Sequence, residues 1–248
     1  KNTYFTPSWR IFLFISAALW IVYIALEPYL RRLWPHMIVS WVRLLDGRFR
    51  DPLVGRDSLI GLMAGALLVI LINVYSIGGQ WAGLVTPSPS SLFEWGGHTD
   101  LLRGMRYSIA TLFDVAPIAL IPLLFMVVLL LLRLLLRRQG LAVAAFLILW
   151  ALLGSPTWLA GNPWLGYTVF ALLSTIVLTV LFRVGILALA ATYFGLGVLL
   201  SFPMTFRLSS WYAMHMLIGL AAFAAVAGWS FYISLAGRPV FSESLLKD

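Results

Sequence analysis

Three polar residues occur within or beside strongly apolar stretches of the sequence: Asp114, Asn73 and His215. A polar group surrounded by hydrocarbon is costly and is often retained for a function. Asp114 is typical either of a proton or cation site or of a carboxylate that caps a helix starting near Pro117. Asn73 and His215 are suited to hydrogen bonds between helices, and His215 also to a ligand role. Together they form a candidate intramembrane polar site.

A second cluster of chemically active side chains lies between residues 27 and 57, which are rich in arginine. Near an anionic membrane surface each arginine contributes about 1 kcal/mol of binding, so this segment favours contacts with lipid phosphates. The same charges are suited to docking a cytoplasmic domain. The candidate lipid-binding or docking residues are Arg31, Arg32, Arg43, Arg48, Arg50 and Arg56.

The same segment contains an amphipathic pattern that ends at Gly47. Its apolar residues recur at helical spacing, and Arg43 and Asp46 flank them. Such a pattern predicts a helix lying on the inner membrane surface, with glycine ending it. The apolar face consists of Met37, Ile38, Trp41, Val42, Leu44 and Leu45.

No residue pattern in the sequence indicates a catalytic centre. The phosphate-binding loop, the Gly-x-Ser-x-Gly turn and the His-Glu-x-x-His motif are all absent. The chain also contains no cysteine, which excludes disulfides and thiolate chemistry. We therefore predict no catalytic residue, no metal site and no cofactor. The net charge of +8 lies mainly in short connections, so we expect anionic lipid headgroups rather than nucleic acid as its partner.

The composition places these residues in a membrane protein. Of the 248 residues, 62% are apolar and only 10% are charged, whereas a soluble domain carries about 25% charged residues. The mean hydropathy of +0.97 agrees with this class. A soluble core cannot bury so much apolar surface, and disordered chains lack the aliphatic and aromatic residues that are abundant in this one.

Seven apolar stretches are candidate transmembrane helices, at about 20 residues per span. The predicted fold is all-α, a polytopic transmembrane helix bundle of about seven spans with additional interfacial amphipathic helices. We expect one integral membrane domain over residues 1–248, with an inner-surface amphipathic connector at 27–57 and an outer loop at 78–106. The stretches cover about residues 11–25, 59–77, 117–136, 141–153, 164–182, 185–202 and 211–235.

Lysine and arginine in the short connections predict the orientation. With the N-terminus outside, twelve of these residues lie inside and five lie outside, and the opposite orientation inverts the bias. Positive residues accumulate on the cytoplasmic side, so we expect the N-terminus of this chain outside and the C-terminus inside. The chain begins at Lys1 rather than methionine, and we expect it to be a piece of a longer protein.

The arginine-rich segment also resembles a known family. The matching residues are Ala25-Leu26-Glu27-Pro28-Tyr29, Arg31-Arg32, Trp34-Pro35-His36, Ser40-Trp41, Arg43-Leu44-Leu45, Gly47-Arg48 and Arg50-Asp51-Pro52-Leu53-Val54-Gly55-Arg56-Asp57. This block is similar to part of the C-terminal membrane region of large acidobacterial serine/threonine protein kinases. The stretch from Ser234 to Pro239, followed by a short acidic tail, is similar to the C-termini of that family.

The resemblance implies a non-catalytic membrane anchor or sensor domain in the bacterial inner membrane. It also implies a cytoplasmic kinase domain earlier in the same polypeptide, with further membrane spans between the two, a layout that is compatible with the start of this chain outside. The kinase motifs are absent from this chain, so no catalytic residue is carried over, and whether the whole protein is an enzyme stays open. Two alternatives follow from the residues. The small size and the lack of a site of its own favour an accessory subunit of a larger membrane complex. Asp114, Asn73 and the helices interrupted by proline favour a small-molecule transporter.

Overall fold

The computed structural model is helical throughout the part of the chain that it describes. That part comprises residues 17, 20–21, 23–24, 27–83, 104–153, 163–204, 207, 209–210 and 213–236. No β-strand occurs among these residues, which confirms the all-α class.

A short helical stretch at 27–33 precedes a series of longer helices. α1 and α2 each begin with a proline, which costs no hydrogen bond, because an N–H at the first helical position has no partner within the helix. The series consists of α1 (Pro35–Leu45), α2 (Pro52–Trp81), α3 (Met105–Val115), a 3₁₀ segment (Ala116–Leu120), α4 (Ile121–Leu136), α5 (Gln139–Leu153), α6 (Pro163–Arg183), α7 (Ile186–Ser201) and α8 (Ala213–Ser234).

Four helical segments of the described chain are long and apolar enough to cross a membrane: Pro52–Trp81, Thr111–Leu136, Gly166–Arg183 and Ala213–Ser234. α5 and α7 are apolar but shorter, at 15 and 16 residues. The stretch at 11–25 lies largely outside the described residues. A protein with membrane-type helices is therefore confirmed, whereas the count of seven spans stays a prediction.

The core of the bundle is built around α7, most of whose side chains are buried. α2 runs parallel to α7 and packs against it at two glycines, Gly61 beside Ala188 and Gly65 beside Thr192. A glycine has no Cβ, so the two helix backbones approach more closely than larger residues allow. Because α2 and α7 are apolar on nearly every side, these small residues decide which of their faces meet.

Two further helices pack antiparallel to this pair. Gly55, in the first turn of α2, contacts the last two turns of α8. Phe125 of α4 lies edge-on to Tyr193 of α7, with ring centroids 5.6 Å apart, and Val115 lies beside Gly197. These contacts fix the directions of the helices, so the start of α2 lies at the same end as the start of α7 and the ends of α4 and α8.

The structure changes the predicted bounds of the outer loop at 78–106. α2 continues to Trp81, so the first four residues of that loop are helical, and α3 begins at Met105. Residues 84–103 lie outside the described part. The loop is therefore shorter at both ends than the composition of Gly78 to Arg106 predicts.

The amphipathic connector forms a helix and ends as predicted, with Gly47 in a left-handed conformation at φ +78°. Its apolar face, however, does not lie open to a membrane surface. Met37, Ile38 and Trp41 are buried against the bundle, where α1 contacts α2, α6 and α7. The face that the sequence assigns to lipid is thus largely a protein contact, and Leu45 at its end is exposed.

Candidate functional site: the basic end of the bundle

One end of the bundle gathers α1, the starts of α2, α5 and α7, and the ends of α4, α6 and α8. We call it the basic end, because ten arginines among the described residues lie there beside only four carboxylates. Arg207 lies at the opposite end. The ten are Arg31, Arg32, Arg43, Arg48, Arg50, Arg56, Arg133, Arg137, Arg138 and Arg183, and the carboxylates are Glu27, Asp46, Asp51 and Asp57.

Trp34 joins three helices at the basic end. Its ring is buried and lies edge-on to Phe182 of α6, with centroids 6.0 Å apart. The Arg133 guanidinium of α4 lies over the same ring, 5.5 Å from its centroid, in a cation–π contact. His36 Nε2 donates a hydrogen bond to the carbonyl oxygen of Phe182 at 3.2 Å. These contacts hold the start of α1 against the ends of α4 and α6.

Asp51 closes the turn between α1 and α2. One carboxylate oxygen accepts a hydrogen bond from the Leu53 N–H at 2.9 Å, which caps the start of α2. The other oxygen lies 2.7 Å from Arg43 at the end of α1. Negative charge at a helix start and positive charge at a helix end both oppose the helix dipole, so this pair stabilises both termini.

Two more of the predicted arginines form ion pairs close in sequence. Arg31 bonds to Glu27 at 2.6 Å, and the hydrogen bond and negative charge of that carboxylate raise the pKa of Arg31 above its ordinary value. Arg56 reaches Asp57 at 2.9 Å, although Asp57 is buried and Arg56 is exposed. In these two arginines and in Arg43, a carboxylate of the same chain partly neutralises the positive charge. The three residues therefore stabilise the fold as well as contributing to the surface charge.

Six other arginines at the basic end form no ion pair with any residue that the structure describes, and all six are exposed. A guanidinium presents several donors in a fixed plane that matches carboxylate or phosphate oxygens. The arrangement can therefore bind anionic groups along one surface. Three of the six belong to the sequence-predicted set, two lie in the α4–α5 connection and one is the last residue of α6: Arg32, Arg48, Arg50, Arg137, Arg138 and Arg183.

The candidate polar residues do not form one site in the described structure. Asn73 is exposed and donates to the Val69 carbonyl oxygen of its own helix at 2.8 Å, and it bridges to no other helix among the described residues. His215 is buried, and its Nδ1 shares a 2.5 Å hydrogen bond with the Ser108 hydroxyl of α3. Asp114 lies in the last turn of α3, and its side chain falls outside the described part.

Sequence reasoning missed two determinants of this arrangement. The Gly61-Leu-Met-Ala-Gly65 spacing, with two glycines four residues apart, is a known signal for close helix packing in membranes. The second determinant is Ser108, the partner of His215, which lies 107 residues earlier in the chain, and no local signal predicts that pairing.

Within the described ranges, no group of three or more histidine, aspartate or glutamate side chains is placed to hold a metal ion. No family model matches the chain, and neither a curated protein nor a solved structure shows significant similarity to it. Inferences about function therefore depend on the geometry of the basic end and on the sequence.

Proposed function

We propose that this chain is a non-catalytic integral membrane domain that anchors a cytoplasmic partner at its basic end. The observation that carries the proposal is the concentration, at one end of the bundle, of exposed arginines that have no ion-pair partner among the described residues. Positive residues of membrane proteins accumulate on the cytoplasmic side, where anionic headgroups attract them. The basic end then faces the cytoplasm and binds lipid phosphates. In this orientation the start of the chain lies outside and its end lies inside.

In this arrangement the chain crosses the membrane seven times. The four long helices span it directly, and the stretch at 11–25 supplies a fifth crossing. α5 and α7, at 1.5 Å per residue, extend about 22–24 Å against a hydrocarbon thickness of about 30 Å. Helices that fall short by this amount are accommodated by local thinning of the bilayer. The alternation of helix directions in the described bundle supports these two additional crossings.

The partner that we propose is a serine/threonine kinase domain in the same polypeptide, in a bacterial inner membrane. Support comes from the resemblance of residues 27–57 and from their integration into the bundle. Trp34 and Asp51, which belong to the resembling block, make the contacts that join α1 to α4, α6 and α2. We propose that these contacts pass a change in helix packing on to a cytoplasmic domain docked at the basic end.

We expect the protein isolated from its source membranes with an antibody against this chain to be tens of kilodaltons larger than 27.6 kDa. We also expect it to incorporate phosphate from radiolabelled ATP into its own serine or threonine residues. The measurement is denaturing electrophoresis followed by autoradiography and intact mass. An unphosphorylated polypeptide near 27.6 kDa that co-purifies with other membrane proteins would instead favour the accessory-subunit alternative and contradict the kinase assignment.

The orientation is testable by labelling, since the chain has no cysteine of its own. Gly83→Cys and Arg138→Cys introduce thiols at exposed positions at opposite ends of the bundle. We expect a membrane-impermeant maleimide to label Gly83→Cys in intact spheroplasts, and to label Arg138→Cys only after the membrane is permeabilised. The cysteine-free parent chain is the control for background, and the reverse pattern of labelling would invert the proposed orientation.

A further inference from the structure

The outward face of α2 is apolar along most of its length. Its exposed large residues recur at alternating spacings of three and four: Ile60, Met63, Leu67, Ile70, Val74, Ile77 and Trp81. This is the 3.5-residue repeat by which two helices pack side by side. Lipid covers such a face equally well, so the repeat alone identifies no partner.

Asn73, at the edge of this face, provides a second and independent observation. Its Nδ2 donates to the Val69 carbonyl oxygen, but its Oδ1 has no hydrogen-bond partner among the described residues. The residue is exposed and lies within the stretch predicted to span the membrane. Hydrocarbon offers no water to satisfy the amide, so this position favours a neighbour that supplies a hydrogen bond.

A groove of about 760 Å³ opens beside Asn73, between the outer half of α2 and the end of α7. Val69, Ile77 and Trp81 line it on one side, and Leu200 and Met204 on the other. The walls are apolar apart from Asn73. The groove is therefore suited to aliphatic side chains of a neighbouring helix that carries one amide, and not to a charged ligand.

We propose that two copies of the chain form a parallel dimer, in which α2 packs against α2 along the Asn73 side of this face. Along that side the same spacing of three and four connects Met63, Ala66, Ile70, Asn73 and Ile77. Asn73 then lies in the contact itself, and the two Asn73 amides hydrogen-bond to each other. Both copies enter the bilayer in the same direction, so Asn73 lies at the same depth in each, and the twofold axis is normal to the membrane. A carboxamide both donates and accepts, so it is complementary to its own copy. Any other partner must present such a group at that depth, whereas a second copy does so by symmetry.

Disulfide cross-linking tests this contact directly, because the chain contains no cysteine. In native membranes treated with copper phenanthroline, Asn73→Cys is expected to form a covalent dimer of twice the chain mass. The matched control is Ile148→Cys, which is similarly exposed but lies on α5. We expect this control to stay monomeric. Equal cross-linking at both positions would indicate random collision and would overturn the proposal.

Energy transfer between donor- and acceptor-labelled copies in phosphatidylcholine vesicles measures the affinity without a cross-link. Asn73→Leu, which keeps the size but removes the amide, is expected to raise the dissociation constant about tenfold. Asn73→Gln preserves donor and acceptor and is expected to stay within about threefold of the parent chain. A parent chain that is monomeric at every protein-to-lipid ratio would mean that lipid or the chain's own residues cover this face, and the dimer would be ruled out. The inference does not depend on the kinase assignment.

Discussion

Gly61→Ala is expected to lower the free energy of unfolding by about 3 kcal/mol, because a Cβ atom at this position would overlap the carbonyl oxygen of Ala188. That oxygen belongs to the backbone of α7 and cannot rotate away, so the two helices must separate. Separation then weakens the packing of the most buried helix in the described bundle. The measurement is unfolding in mixed micelles at increasing SDS fraction, followed by circular dichroism.

Gly78→Ala is the matched control on the same helix. No described atom lies within 4 Å of a Cβ at Gly78, so the substitution is expected to change stability by less than about 1 kcal/mol, with a small gain from helix propensity. The loss of stability in Gly65→Ala is expected to lie between those of the Gly61 and Gly78 variants, since its Cβ would lie 2.6 Å from the Thr192 carbonyl oxygen. Equal stability of the Gly61 and Gly78 variants would show that α2 does not meet α7 through this face.

These glycines illustrate what the sequence predicts about the fold and what it does not. Composition predicts a membrane protein, because no soluble core can bury so much apolar surface, and the long apolar stretches predict that its spans are helices. The same uniform apolarity removes the amphipathic signal that would show which side of each helix faces inward. Small residues such as Gly61 and Gly65 are then the remaining signal, and it identifies a packing face without identifying the partner helix.

The basic end shows the same division between local and long-range information. The cluster between residues 27 and 57 is visible in the sequence, and Asp51-Pro52 predicts a turn. The apolar pattern, however, places the start of the second span near residue 59 with Asp57 or Ser58 as its cap, whereas α2 begins at Pro52 and is capped by Asp51. The pairing of Arg43 with Asp51 depends on the shape of the turn between them. The contact of Arg133 with Trp34 joins residues almost 100 positions apart, so only the folded chain brings it about.

The connector helix α1 shows why an amphipathic pattern is ambiguous. Burying an apolar face against lipid or against other helices removes the same surface from water, so both environments select the same residues. In the structure this apolar face packs against other helices of the protein, where Met37 and Ile38 are buried. If α1 relays a signal, that signal therefore acts by changing its contacts with α6 and α7.

Gly185→Ala is expected to detach α1 from the bundle while leaving the bundle folded. Gly185 has φ +129°, which side-chain-bearing residues rarely adopt, and a Cβ there would lie 2.6 Å from the Met37 carbonyl oxygen. Such backbone strain costs roughly 1–3 kcal/mol, and moving Met37 relieves the clash. We expect hydrogen exchange of the amides in residues 35–45 to accelerate about tenfold or more, measured by mass spectrometry in detergent.

Gly47→Ala is the matched control, because it introduces backbone strain without a clash against another helix. Gly47 also has a positive φ, at +78°, but no described atom lies within 4 Å of a Cβ at that position. Alanine in this conformation costs about 1–2 kcal/mol locally and does not push α1 away from α7. Exchange should therefore accelerate only in the turn that follows α1. Equal acceleration of exchange along α1 in both variants would mean that the turn, rather than the contact with Gly185, holds the connector in place. Slow exchange in α2 is the control that the bundle remains folded in both variants.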